Sequence, residues 1–220
     1  MKNIIFIAPP AAGKGTMSEI LTHKYGYKHI STGDILRSMA KKKDDFGKEL
    51  STLLSSGQLV PDEIVYEALK RRLLMNDLDN GFILDGFPRN IEQAREYDNI
   101  LNSINKDLGV VIYLDTPREI LEKRITGRRL CSECGKAYNV LTGVNTPKVD
   151  GICDKCGSKL YQRDDDNLES FNTRFETFME KTYPLIEFYE NKNVLYRVKS
   201  VDVENTMQEI EAIINDQYKK

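Results

Sequence analysis

The chain is poor in several of the features that announce common classes of protein. It has two histidines, His23 and His29, and neither neighbours a plausible nucleophile, so both read as structural. No apolar run approaches the ~18 residues needed to cross a bilayer. The apolar stretch of Met1-Lys2-Asn3-Ile4-Ile5-Phe6-Ile7 is too short for a signal segment and no cleavage pattern follows it, which suits a cytosolic protein. There is no excess of basic charge: the net charge of −2 provides no field to gather nucleic acid. Repeats and low-complexity tracts are absent. With 40% hydrophobic and 30% charged residues, the 220-residue chain is neither disordered nor fibrous, and is long enough for one full core with a small appended module. Cysteine is scarce too, but its four copies all fall between positions 131 and 156.

The rest of the pattern alternates short apolar runs with amphipathic stretches. Strands are predicted at 4–7, 28–31, 81–85, 109–115 and 193–198. Helices are predicted at 17–25, from 35 on, and at 46–54 (closed by Ser55-Ser56-Gly57), 61–73, 91–103, 117–127, 168–189 and 203–218. Such alternation predicts an α/β fold, a parallel sheet with helices on both faces. Ligands of such sheets sit beyond the carboxyl ends of the strands. The loops beginning at Ala8, Asp85 and Asp115 would lie along that edge.

The first of these loops, Ala8-Pro9-Pro10-Ala11-Ala12-Gly13-Lys14-Gly15-Thr16, follows a strand and opens a helix. A phosphate there would meet backbone N–H groups and the positive end of the helix dipole. Lys14 would supply a mobile charge and Thr16 a hydroxyl near the metal or the phosphates. The strict pattern G-x-x-x-x-G-K-[ST] is not met, because Ala8 replaces the first glycine and Gly15 separates Lys14 from Thr16. A plain strand–helix turn with a surface lysine is the competing reading.

In Leu84-Asp85-Gly86-Phe87-Pro88-Arg89 an acid ends a strand and an arginine follows four residues on. A carboxylate beside a phosphate needs a cation between them, so Asp85 is a candidate anchor for Mg²⁺ through water, or else a turn cap. Arg37, Arg89, Arg124, Arg128, Arg163 and Arg174 fall near the predicted ligand edge or the cysteine module, where guanidinium groups could grip phosphate. Arg71, Arg72 and Arg118 read as solvated helix residues. An acceptor that is itself a phosphate is already largely dianionic at neutral pH, so no general base is required.

Cys131-Ser132-Glu133-Cys134 and Cys153-Asp154-Lys155-Cys156 are separated by 18 residues, with Gly135 and Gly157 after each pair. This spacing fits a zinc ribbon. Four thiolates make a closed structural Zn²⁺ site, with two disulfides or iron as the alternatives. The metal would substitute for a core that so small a segment lacks.

Taken in order, Gly13-Lys14-Gly15-Thr16, Ser31-Thr32-Gly33-Asp34 with Arg37, Asp85-Gly86-Phe87-Pro88-Arg89 with Gln93, Arg124-x-x-Gly127-Arg128, and Arg163-Asp164-Asp165 with Arg174 resemble the adenylate kinase family over essentially the whole chain. The four-cysteine insertion looks like the zinc-bearing lid of its long bacterial form. The resemblance implies a phosphate-loop NTPase-like core (1–30, 61–126 and 165–220), a helical monophosphate-binding segment (31–60) and a small zinc-ribbon lid (127–164). It implies the reversible reaction ATP + AMP = 2 ADP with Mg²⁺, by a monomer engaging neither nucleic acid nor membrane.

By the same resemblance ATP would lie against Ala11, Ala12, Gly13, Lys14, Gly15, Thr16, Arg128, Ala137 and Tyr138. AMP would lie against Thr32, Arg37, Gln58, Leu59, Val60, Gly86, Phe87, Pro88, Arg89 and Gln93. Arg163 and Arg174 would span the transferring phosphates. Lys14, Asp85, Arg89 and Arg124 would complete the catalytic set. Tyr138 has a second reading, as lid core.

Family members usually carry glycine where Ala8 and Ala11 stand. If either position needs a positive φ, alanine strains the loop by roughly a kcal/mol. Two other readings compete. A UMP or CMP kinase usually has alanine in place of Thr32 and lacks the long lid, and GTP could replace ATP as donor. A zinc-ribbon nucleic-acid-binding ATPase is disfavoured by the slightly acidic charge and the few aromatics between the cysteines.

Overall fold

The strand at Ile4–Ile7 (β1) is buried along its whole length. Two others, Phe82–Asp85 (β3) and Val110–Asp115 (β4), are buried up to their last residue. Continuous apolar runs of this kind suit a parallel sheet covered on both faces. A computed structural model describes residues 3–41, 44–55, 60–75 and 77–218. In it these three strands join Lys28–Ser31 (β2) and Leu195–Lys199 (β8) in one parallel sheet of order β2-β3-β1-β4-β8.

The strand period of two separates two cores. Ile5, Ile7, Leu84 and Val111 face one side and pack against α2 (Thr32–Ala40), α4 (Asp62–Leu73), α5 (Ile91–Ser103) and α8 (Leu185–Glu190). Ile4, Phe6, Ile83 and Ile112 face the other and pack against α1 (Lys14–Tyr25), α6 (Arg118–Gly127), α7 (Leu168–Thr177) and α9 (Val203–Tyr218). Helix α3 (Asp45–Ser55) packs on α2. From β1 the chain runs first to β2 and β3 on one side, then crosses to β4 and β8 on the other. A crevice therefore opens at the carboxyl end of β1.

The predicted sheet and most predicted helices are present, with four differences. Helix α2 begins at Thr32 instead of Ile35, because the Ser31 side chain caps it by accepting from Asp34 N–H. Helix α1 begins at Lys14 instead of Met17, because Gly13 supplies a left-handed cap at φ 97°. Asn193 lies at φ 55° in a turn, so β8 starts two residues later than expected. The long helix expected over 168–189 is broken. A π-helical turn at Phe178–Thr182 follows α7, and Tyr183 N–H donates to the Phe178 carbonyl at 2.8 Å. Pro184 then lacks the N–H a continuous helix would use, and α8 restarts behind it. The break brings the Thr182 hydroxyl to the Arg89 carbonyl, 2.9 Å away. The helix closure expected at Gly57 lies outside the described residues.

Between α6 and α7 a second, antiparallel sheet forms from Arg128–Cys131 (β5), Ala137–Asn139 (β6) and Leu160–Tyr161 (β7), in the order β6-β5-β7. Its buried cluster comprises Cys131, Tyr138 and Cys153, with Leu160 partly buried against them. Gly127 is required at its base: a Cβ there would run into the Asn139 side chain and into Leu141, whose Cβ is 2.9 Å away.

None of the helices among the described residues is long and apolar enough to cross a membrane.

Candidate active site and metal centre

The turn after β1 sets the shape of the phosphate loop. Ala12 N–H donates to the Pro9 carbonyl at 3.2 Å, closing a four-residue turn. Pro10 favours its second position, and the third, Ala11, is held at φ 65°. That is the position where a type II turn takes glycine. Every other non-glycine residue with positive φ among those described is an asparagine. Alanine pays about 1–2 kcal/mol for such a conformation. Ala8 carries no such burden. The expectation of strain thus resolves onto Ala11 alone.

Beyond the turn, Lys14 and Gly15 start α1, with Thr16 exposed on its first turn. The first-turn N–H groups of a helix have no intrahelical partner, so an anion at this point would meet donors and the positive dipole end. Lys14 Nζ lies 2.6 Å from Asp85 Oδ1, and His29 Nε2 lies 3.2 Å from Asp85 Oδ2. Burial alone would raise the Asp85 carboxyl. The His29 ring and the Lys14 ammonium together outweigh it and hold the group ionised well below the usual carboxylate range. From the sequence alone His29 reads as structural, with no plausible nucleophile beside it. The pairing Ser31↔Asp85 between β2 and β3 is what brings it to the acid.

This loop forms one wall of a cleft of about 1290 Å³. The cleft is also lined by Gly86, Phe87, Pro88, Arg89, Arg124, Arg128, Arg163 and Arg174, by Ala137 and Tyr138 of β6, and by the β8–α9 loop. Arg124 donates from NH1 to the Ala12 carbonyl at 3.2 Å and from NH2 to the Val201 carbonyl at 2.7 Å. Arg128 is held by both oxygens of Asp166, whose side chain is fully buried, with Nε 2.9 Å from Oδ2. Arg174 bonds to the Asp165 carboxylate at 3.0 Å and to its carbonyl at 2.7 Å. Arg163 is exposed on the cleft wall.

The residues expected on the acceptor side are brought together in part. Arg89 Nε donates to the Gly86 carbonyl at 2.8 Å. A Cβ at Gly86 would meet the Thr32 hydroxyl at 3.3 Å and the Arg89 guanidinium at 3.4 Å, so these three groups share one corner. Gln93 accepts from Arg89 N–H at 2.8 Å and donates to Asp62 at 3.0 Å. Phe87 is in the core, edge-on to Tyr66 and Tyr97. Val60 packs partly buried against the same core. Arg37 is exposed and paired with Asp34 at 2.6 Å. Gln58 and Leu59 lie outside the described residues. Arg71, Arg72 and Arg118, read as solvated, form pairs with Glu67, Asp77 and Glu122.

Tyr138 is 3% exposed. Its hydroxyl accepts from Asp154 N–H at 2.8 Å and lies 3.4 Å from Cys153 Sγ. Its ring is therefore part of the packing within the small sheet, in line with one of the two readings left open by the sequence.

The four cysteine sulfurs all lie within 4.8 Å of one another, a group able to hold a metal ion. A tetrahedral ion with metal–sulfur bonds of ~2.3 Å separates its sulfurs by about 3.8 Å, so this donor set fits. The knuckles are formed too. Cys134 N–H points at Cys131 Sγ at 3.5 Å, and Lys155 N–H at Cys153 Sγ at 3.4 Å. The four cysteines are not joined by sulfur–sulfur bonds.

A phosphate loop at the crevice of a parallel sheet, faced by converging guanidinium groups and roofed by a small separate sheet, defines a class: α/β proteins that transfer phosphoryl groups between nucleotides. The family model for adenylate kinase matches residues 6–194. The chain is 46% identical over 213 residues to an adenylate kinase of Thermosipho africanus, covering 96% of this chain and 99% of that one. It is 45% identical over 213 residues to an adenylate kinase of Archaeoglobus fulgidus, covering 96% and 97%. It is 44% identical over 207 residues to one of Clostridium tetani, covering 94% and 95%. The chain belongs to the adenylate kinase family. It is an enzyme, a nucleoside monophosphate kinase.

Proposed function

We propose that the protein catalyses ATP + AMP = 2 ADP, with ATP on the phosphate loop and AMP in the corner of Thr32, Gly86 and Arg89. The observation that carries this reading is the shared corner: a Cβ at Gly86 would meet the Thr32 hydroxyl at 3.3 Å and the Arg89 guanidinium at 3.4 Å. A hydroxyl and a forked cation beside a bare glycine suit a monophosphate and its nucleoside. Gln93 is placed to offer its amide to the adenine edge by exchanging its bond to Asp62.

In this reading Lys14 and the first-turn N–H groups of α1 grip the donor phosphates. Arg124, Arg128, Arg163 and Arg174 neutralise charge that spreads over the transferred group. Arg128 is oriented for this by the buried Asp166 carboxylate. The acceptor needs no base, since its phosphate is already deprotonated. Mg²⁺, held through water by Asp85, supplies charge neutralisation on the donor phosphates when bound. Closure of 31–60 and 127–164 over the core 1–30, 61–126 and 165–220 would exclude water, so that the acceptor phosphate rather than water attacks the donor. The four cysteines hold Zn²⁺ in a structural role, the protein is a monomer, and its compartment is the cytosol.

A coupled assay with AMP, UMP, CMP and GMP as acceptors and ATP or GTP as donor tests the assignment. AMP with ATP is expected to give the highest kcat/KM by at least an order of magnitude. Preference for UMP or CMP, or ATP hydrolysis without an acceptor, overturns it. The strained turn makes a separate prediction. Ala11→Gly is expected to tighten ATP binding by about fivefold, the equivalent of roughly 1 kcal/mol, and Ala8→Gly to leave it unchanged. Calorimetric titration of both variants checks this; equal gains, or none in Ala11→Gly, would show that the loop bears no strain relevant to binding.

A further inference from the structure

The Ala12 carbonyl, at the centre of the phosphate loop, accepts two hydrogen bonds from elements far along the chain. One comes from Arg124, at 3.2 Å. The other comes from the hydroxyl of Ser200, at 2.8 Å across 188 residues of sequence. Ser200 is 2% exposed. It is itself fixed at both backbone ends: its N–H donates to the Asp115 carbonyl at 2.8 Å, and its carbonyl accepts from the Thr116 hydroxyl at 3.2 Å. Its Oγ also stands 3.6 Å from where a Cβ on Gly13 would be. The serine thus anchors the loop to the ends of β4 and β8.

The anchored carbonyl directly follows Ala11, the residue held at φ 65°. A non-glycine residue stays in that region only where its surroundings over-determine it. Glycine at position 11 would need no such hold, whereas alanine does. The Ser200 bond is buried and points at the peptide next to the strained one.

We propose that Ser200 is a positioning residue of this enzyme: its hydroxyl holds the Ala12 carbonyl so that the Ala11 turn keeps the shape that presents Gly13 to Thr16 to the donor phosphates. Arg124 is free to do part of this work only until a nucleotide engages its guanidinium, and Ser200 has no such competing demand. The inference rests on the reading of the phosphate loop as the ATP site. It makes Ser200 specific to one substrate, because the acceptor corner of Thr32, Gly86 and Arg89 shares no hydrogen bond with it.

The test is a double-mutant cycle on the full chain, read by calorimetric Kd for ATP and for AMP, with Ser200→Ala, Ala11→Gly and the pair. Ser200→Ala is expected to raise Kd for ATP about tenfold, the equivalent of about 1.4 kcal/mol, and to leave Kd for AMP within twofold. In the Ala11→Gly background the same substitution is expected to cost threefold or less. Equal losses for ATP and AMP, or the same loss in both backgrounds, would overturn the proposal and leave a general structural role. If Ser200→Ala does not fold, Ser200→Cys keeps the volume with a weak donor; it should weaken ATP several-fold with AMP unchanged, and an unaltered Kd for ATP would sink the idea. A wild-type protein that binds AMP but not ATP overturns both this proposal and the reading of the loop. A wild-type protein that binds ATP while Ser200→Ala does so equally well overturns this proposal alone.

Discussion

Lys14→Ala is expected to lower kcat/KM by three orders of magnitude or more, with the fold intact. The size follows from what the ammonium does at this point in the chain. It stands at the start of α1 at the mouth of the crevice, 2.6 Å from the Asp85 carboxylate. That carboxylate holds it, and the same mobile charge is able to turn to donor phosphates. Charge stabilisation is most of what a protein contributes to phosphoryl transfer, and each factor of ten corresponds to about 1.4 kcal/mol of barrier. Arg89→Ala should cause a loss of similar size, with a larger rise in KM for the monophosphate than for the triphosphate. Steady-state kinetics with each substrate varied, alongside circular dichroism, provide the check. Near-normal rates in either variant would refute the assignment of these groups to catalysis.

The second large effect concerns the small sheet of β5, β6 and β7. Its buried cluster is two cysteines and one tyrosine, far too little apolar surface to order some forty residues. A metal ion held by the four clustered sulfurs would supply the missing energy. Metal binding of this kind contributes directly to folding, on the order of 10 kcal/mol in small zinc modules. Cys153→Ser is therefore expected to lower the melting temperature by roughly 20 °C or more, while activity survives at low temperature. A strong chelator should reproduce the shift in the wild-type protein and have little effect on the variant. Calorimetry with and without chelator, together with metal analysis, measures this. Unchanged melting would remove the structural role, and lost activity in a folded variant would show that the metal does more than order the lid.

The parts legible in the sequence share a physical character. Buried parallel strands are continuous apolar runs, so β1, β3 and β4 could be read directly. The cysteine spacing could be read because a tetrahedral site constrains two knuckles and little else. Element boundaries were less legible where a single residue outweighed the pattern: Gly13 starting α1 early, Asn193 delaying β8, Pro184 breaking a run whose apolar periodicity continues across it. Within the site, His29 could not be placed, since nothing in Lys28-His29-Ile30-Ser31 indicates which strand will pair beside it. Ser200 was invisible for the same reason. Its partner is 188 residues away, and a serine after a strand is usually just the start of a turn.

Composition and local order were enough to determine the class of sheet, the metal-binding cysteines, the presence of a phosphate loop and the family. These follow from residues close in sequence, where geometry is set by the chain itself. Which of two alanines carries the strain, which acid pairs with Lys14, and what holds the loop in place were decided by folding. Each depends on β2, β3, β4 and β8 arriving side by side, and on hydrogen bonds that exist only once those strands have paired.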